Sequence, residues 1–261
     1  MLLAIDAGNT NITLGLFREQ ELIAQWRLLT VRERSADEYE ADVLDVFERA
    51  GIALKEVKGI AIASVVPQLD DALRQVAASF SVEPLFVDHT TDTGLKLLYH
   101  PPSDLGVDRI VDGVAAMNKY GAPCIVVDFG TATTFNAISK DNEFLGGAIS
   151  PGLFTCAEAL FQRAAKLPRV EFVRPRMAIA SSTVEAMQSG LYYGYAGLVD
   201  GMIEKILEGM GPVSRIVATG GLAPLIAEAS QYIDTIDETL TLDGLRIVYE
   251  RKNRTERGSA G

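Results

Sequence analysis

Two stretches of the chain repeat one short design, and that repetition constrains the fold more than any other feature. In the first, Leu2–Ile5 is an apolar run, Asp6-Ala7-Gly8-Asn9-Thr10 is a turn signal, and Asn11-Ile12-Thr13-Leu14-Gly15-Leu16-Phe17 alternates apolar residues with smaller or polar ones. This pattern predicts strand, tight turn and returning strand. In the second, Cys124–Val127 is apolar, Asp128-Phe129-Gly130-Thr131 is the turn, and the run from Ala132 to Ile138 returns. Asp6 then corresponds to Asp128 and Gly8 to Gly130, and internal duplication of one unit explains both.

Each turn residue has a chemical use. Asp6 ends a strand with a carboxylate, where a hydrated divalent ion can be held. Gly8 lets backbone approach a bulky anion, and Asn9, Thr10 and Thr13 supply neutral donors. Alone, the first hairpin fits a phosphate-binding turn and a plain surface hairpin equally, because Asp, Gly and Asn are ordinary turn residues. The second copy breaks the tie. Two such Asp-x-Gly hairpins, one per half, resemble the acetate kinase, sugar kinase, heat-shock ATPase and actin superfamily. That resemblance implies an α/β fold of two duplicated actin-like (ribonuclease H-like) domains with ATP in a cleft between them.

The rest of the pattern fits an α/β layer arrangement. Glu21–Leu29 continues the meander as a third strand. Ser35-Ala36-Asp37-Glu38 reads as a capping box, with Tyr39, Val43, Val46 and Phe47 on one helical face and Gly51 as the stop. A buried strand over 59–66 ends at Pro67, a helix follows through Phe80, and Leu85-Phe86-Val87 is a short strand. In the second half, strands over 132–139 and 144–149, helices over 152–165 and 183–209, and a strand from Arg215 into Thr219-Gly220-Gly221 repeat the scheme. That last turn is read either as backbone against an adenine ring or as a plain strand-to-helix turn. The Gly- and Tyr-rich helix around Gly190, Tyr192, Tyr193, Gly194 and Tyr195 is read as core or as a subunit surface. The domains expected are 1–117 and 118–251, with a polar tail over 252–261.

Composition narrows the function. A net charge of −11 over 261 residues argues against general nucleic-acid binding, and requires that an anionic substrate be held by local donors and cations. No apolar run reaches membrane-spanning length, and Met1–Ile5 meets Asp6 too soon for a signal peptide, so a cytoplasmic protein without membrane contact is expected. Cys124 and Cys156 are expected as reduced core thiols.

Residues 88–109 differ in kind from the rest. They hold His89, His100, Tyr99, Pro101, Pro102, Asp104, Gly106, Asp108 and Arg109 between the repeated halves. Asp104 is read as a helix-start residue. Asp108 and Arg109, a carboxylate beside a guanidinium next to the second repeat, are read as working residues of the cleft.

In register along the chain, Asp6-Ala7-Gly8-Asn9-Thr10, Tyr99-His100-Pro101, Gly106-Val107-Asp108-Arg109, Asp128-Phe129-Gly130-Thr131-Ala132-Thr133, 145–152, Lys166-Leu167-Pro168 and Thr219-Gly220-Gly221-Leu222 resemble the type III pantothenate kinases. Asn136, where Asp is common, and Ala180-Ser181, where Gly and a basic residue are frequent, depart from that pattern. The resemblance implies ATP-dependent phosphorylation of pantothenate, the first step of coenzyme A biosynthesis, by a homodimer. It implies Asp108 as the proton acceptor, and Tyr99, Gly106, Val107, Arg109 and Thr183 as substrate-binding residues. Asp6, Ala7, Gly8, Asn9, Thr10, Asn11, Ile12, Thr13 and Thr131 would bind ATP. Magnesium is expected at Asp6, and a monovalent cation, potassium or ammonium, at Asp128. A transcriptional accessory factor on the same scaffold and an actin-like or heat-shock-type ATPase are the alternatives. The Asp108-Arg109 pair favours the enzyme over the first, and the chain length leaves little room for the extra subdomains of the second.

Overall fold

The computed structural model describes residues 1–259, with side chains through Thr255. The chain divides into two units, Met1–Ala115 with the chain from Thr241 on, and Ala116–Leu240. The expected boundary near 117 thus falls inside one helix. The expected assignment of the C-terminal stretch is corrected, because residues after Leu240 belong to the first unit.

In the first unit, β1 (Leu2–Ala7), β2 (Asn11–Arg18) and β3 (Glu21–Leu29) form an antiparallel meander. After α1 (Ala36–Arg49), β4 (Gly59–Ser64) pairs parallel to β1, and after α2 (Asp70–Ser79), β5 (Leu85–Phe86) pairs parallel to β4. Beyond them come a two-residue strand, β6 (Lys96–Leu97), and α3 (Val107–Tyr120), which carries the chain into the second unit. There β7 (Cys124–Phe129), β8 (Ala132–Ile138) and β9 (Glu143–Pro151) form the second meander, followed by α4 (Leu153–Arg163) and α5 (Thr183–Met210). β10 (Arg215–Thr219) pairs parallel to β7; α6 (Ala223–Ala227), β11 (Thr235–Ile236) and α7 (Leu240–Ser259) follow.

The order β3-β2-β1-β4-β5 in one unit therefore reappears as β9-β8-β7-β10-β11 in the other. The duplication extends to its irregularities. The meander register slips between Leu16 and Phe17 in one copy and between Ala137 and Ile138 in the other. Phe17 is opposite Leu2, and Ile138 is opposite Cys124, so the two slips occupy the same place in the two copies.

Each unit has its own core. β1 and β4 are almost wholly apolar because parallel neighbours and helices cover both faces. Phe47 of α1 lies 5.3 Å from Trp26 and 5.0 Å, edge-on, from Phe80 by ring centroids. Burying one such ring stabilises by about 1.5–3 kcal/mol. α1 starts as its sequence predicts: Ser35 Oγ accepts from the Glu38 N–H, and the Glu38 carboxylate accepts from the Ser35 N–H at 2.8 Å.

The expected polar tail is corrected too. α7 continues through Ser259, with residues 260–261 outside the described part. Leu242, Leu245 and Val248 are buried at helical spacing, and Leu242 lies against Gly15 of β2. That apolar seam seats the helix, and its polar continuation past Arg251 adds turns with the Glu250–Arg254 pair at i,i+4. Of the cysteines, both free thiols, Cys124 is a core residue, but Cys156 is only half-buried. Among the described residues no helix is long and apolar enough to cross a membrane.

Candidate active site

The first turn is set by pairing. β1 and β2 place Asp6 opposite Thr13 and Ala7 opposite Ile12, leaving 8–11 as the turn. Gly8 N–H donates to Asn11 O at 2.9 Å. Asn9 and Thr10 are exposed, Asp6, Asn11 and Thr13 are half-buried, and Ala7 and Ile12 are core, so only their backbone is available to a ligand. The turn is held from behind by the residue that follows β3. Thr30 N–H donates to Thr10 O at 3.0 Å, and Thr30 Oγ1 donates to Gly8 O at 2.7 Å. Two carbonyls that would repel an anion are thereby engaged.

The start of α3 lies at the same end of the first unit. Val65, just past β4, donates its N–H to Ala7 O at 3.0 Å. A side chain on Gly106 would begin 2.5 Å from Asp108 Oδ1 and 3.8 Å from Val65 Cγ1, so the glycine leaves the space the carboxylate occupies. Asp108 Oδ1 accepts the Arg109 N–H at 2.8 Å. Burial pushes the Asp108 carboxyl above its ordinary value; the Arg109 N–H and charge oppose this without cancelling it. Arg109 is buried, and its guanidinium carbon stands 5.7 Å from the centre of the Tyr99 ring. Tyr99, Gly106, Asp108 and Arg109 are therefore one group. Val107 is a core residue.

The second turn has the same construction with tighter walls. Asp128 is opposite Thr134 on one side and Thr219 on the other. Gly152 N–H and Thr155 Oγ1 both donate to Thr131 O, at 3.1 and 2.9 Å. A Cβ on Gly152 would meet the carbonyl oxygens of Thr131 and Gly130 at 2.4 and 2.5 Å. Gly220, at φ +89°, would place a Cβ 2.6 Å from both Asp128 Oδ1 and Phe129 O. Only glycine satisfies both the dihedral and the approach. Asn136 is fully buried and donates to Thr134 Oγ1 at 3.2 Å, so the neutral amide supports the residue opposite Asp128. Tyr195 of α5 donates to Pro151 O at 2.8 Å and stands 2.6 Å from Thr133 Oγ1.

Thr183 is not part of this grouping. It is exposed in the first turn of α5, after Ser182, whose Oγ accepts from the Glu185 N–H. From Thr183 to Tyr195 the helix advances about 18 Å. Sequence reading missed Thr30, Val65, Gly152 and Tyr195 as supports of the site. Thr30 and Gly152 were legible in principle, since each follows the third strand of a meander whose first turn had already been singled out.

Comparison with known proteins bears on the fold and the family. An activator of 2-hydroxyisocaproyl-CoA dehydratase from Clostridium difficile, solved with bound ADPNP, superposes with a TM-score of 0.58 at 9% identity over 100% of this chain and 97% of that one. A putative Baf family transcriptional activator from Campylobacter jejuni gives 0.58 at 20% identity over 96% and 99%. At such identities the likeness is one of fold alone: the actin-like fold, in two copies of one unit. The sequence model of the type III pantothenate kinase family matches residues 2–205, and the type III pantothenate kinase of Koribacter versatilis (strain Ellin345) is 49% identical over 268 residues, covering 98% of each chain. The chain belongs to the type III pantothenate kinase family.

Proposed function

We propose that the chain transfers the γ-phosphoryl group of ATP to the primary alcohol of pantothenate, giving 4′-phosphopantothenate and ADP in the first step of coenzyme A biosynthesis. The observation that carries the residue assignment is the cluster of Asp108, Arg109 and Tyr99 beside the strand ends that hold the first turn. Arg109 and Tyr99 hold pantothenate, the guanidinium meeting its carboxylate or amide oxygens. Asp108 Oδ1 is occupied by the Arg109 N–H, which leaves Oδ2 to accept the alcohol proton. As that proton leaves, the alcohol oxygen bonds to the γ-phosphorus and the bond to the β-phosphate oxygen breaks, with ADP as leaving group. A carboxylate raised by burial is a stronger base than an exposed one, which suits this role.

The turn at 6–13 and the turn at Thr131 hold the phosphates through backbone N–H groups, Asn9, Thr10 and Thr13. The donor sets fit the expected ions. Asp6 is a single carboxylate at a half-exposed turn, as suits magnesium that keeps most of its ligands as water and phosphate oxygen. Asp128 Oδ1 and Phe129 O both lie close to Gly220, and such oxygen donors suit potassium or ammonium. Bound there, these ions neutralise phosphate charge, which the chain's own excess of acidic residues cannot do.

The same reading includes a cytoplasmic enzyme acting as a homodimer, with Thr183 completing the partner copy's pantothenate site. The test is ADP release by the purified chain. It is expected to require pantothenate, magnesium and potassium or ammonium together. Brisk ATP hydrolysis without pantothenate would replace this reading with a plain ATPase.

A further inference from the structure

The first turn carries a cation that the catalytic scheme does not use. Arg32 Nη2 donates to Asn9 Oδ1 at 3.0 Å, and among the described residues no carboxylate pairs with its guanidinium. Arg32 is exposed and lies two residues beyond Thr30, which clamps the turn from behind.

The second copy of the unit offers a comparison for this position. Thr30 N–H to Thr10 O in the first unit corresponds to Gly152 N–H to Thr131 O in the second; a hydroxyl adds to each clamp, Thr30 Oγ1 on Gly8 O in the first and Thr155 Oγ1 on Thr131 O in the second. In the second unit the clamp runs straight into α4 at Leu153, so peptide dipoles bring positive potential to the turn. In the first unit α1 begins only at Ala36, and the connecting segment contains Arg32 instead. One copy supplies positive potential with a helix start, the other with a side chain.

We propose that Arg32 is a positioning residue for the ATP phosphates, acting through Asn9. An amide side chain offers an acceptor on one arm and a donor on the other. With Oδ1 held by the guanidinium, Nδ2 is the arm left to face an anion. Without Arg32 the amide is free to turn its oxygen toward the phosphates, which repels them. The inference rests on the reading of this turn as an ATP-phosphate site, and deepens it.

The experiment is a double-mutant cycle on ATP affinity, measured by titration calorimetry and alongside the KM values for ATP and pantothenate. Arg32→Ala is expected to weaken ATP binding about tenfold, the scale of one charge-assisted hydrogen bond, and to leave the pantothenate KM unchanged. In an Asn9→Ala background the same change is expected to cost less than about twofold, because the group it orients is gone. Arg32→Gln serves if the alanine variant does not fold. Additive losses, or unchanged ATP affinity in an active Arg32→Ala enzyme, overturn the inference. A wild-type chain that binds ATP without phosphorylating pantothenate overturns the functional reading alone, and one that binds no ATP overturns both.

Discussion

At the scale of single residues, the proton-accepting role proposed for Asp108 separates from its part in stability, because the two respond to substitution in opposite directions. Its carboxyl is raised by burial, with the Arg109 N–H and charge acting the other way. As the proton acceptor it must be ionised, so kcat/KM is expected to fall as pH is lowered through a value above that of an ordinary aspartate. For folding the sign reverses. The native state binds this proton more tightly than the unfolded chain does, so the associated stability is present at low pH and lost as pH rises through the raised value. Asp108→Asn keeps the size and the acceptor for the Arg109 N–H but cannot take a proton. Turnover is expected to drop by roughly 10²- to 10⁴-fold, with ATP affinity nearly unchanged and the melting temperature at pH 7 equal or higher. A helix-start residue would behave otherwise: the variant would lose up to about 1 kcal/mol of stability and keep its turnover. Unchanged turnover at saturating substrates removes Asp108 from the mechanism.

At the scale of elements, the strands and turns were legible and their supports were not. The hairpins could be read because strand period, turn residues and a terminal Asp coincide twice, and chance does not repeat such a pattern in register. The donors proposed for the first turn are its own residues, whereas Val65 acts through a backbone contact made by a tertiary neighbour, which no local pattern encodes. The C-terminal helix was misread for a related reason. Its apolar residues Leu242, Leu245 and Val248 end before the polar stretch begins, so the stretch after Arg251 has no core face of its own and is helical by continuation. Gly244 shows how closely that helix is seated: a Cβ there would lie 2.1 Å from Val111 O of α3. Backbone cannot yield as a side-chain tip can, so Gly244→Ala is expected to force α7 outward and cost about 1–3 kcal/mol despite alanine's better helix propensity. Chemical denaturation of the variant checks this, and a stability equal to or above wild type would mean that α7 shifts without cost.

At the scale of the whole molecule, the second unit shows a surface that one chain leaves open. Ile149, Phe154, Met177 and Ile179 are between 61% and 87% exposed. Along α5, a Cβ on Gly190, Gly194, Gly197 or Gly201 would meet nothing within 4 Å. These four recur at i, i+4, i+7 and i+11, one helical face, with Tyr193 and Leu198 exposed beside them. Small residues in a row let a second helix approach closely, and a twofold dimer uses one patch on both copies. Gly197→Glu is therefore expected to leave the single chain's fold intact and to shift sedimentation from dimer to monomer, with loss of activity. The proposed dimer makes a sharper demand on Thr183, the one proposed substrate contact that belongs to the second unit. If Thr183 of one copy completes the other copy's site, inactive Asp108→Asn and inactive Thr183→Ala chains, unfolded together and refolded as a mixture, form hybrid dimers. Each hybrid holds one site with an intact Asp108 and an intact Thr183. Half the dimers are hybrids with one good site of two, so roughly a quarter of wild-type activity is expected to return. Were both residues to serve the same chain's site, every site in the mixture would carry one lesion and no activity would return. A fully active monomer in the ultracentrifuge would reject the shared site outright.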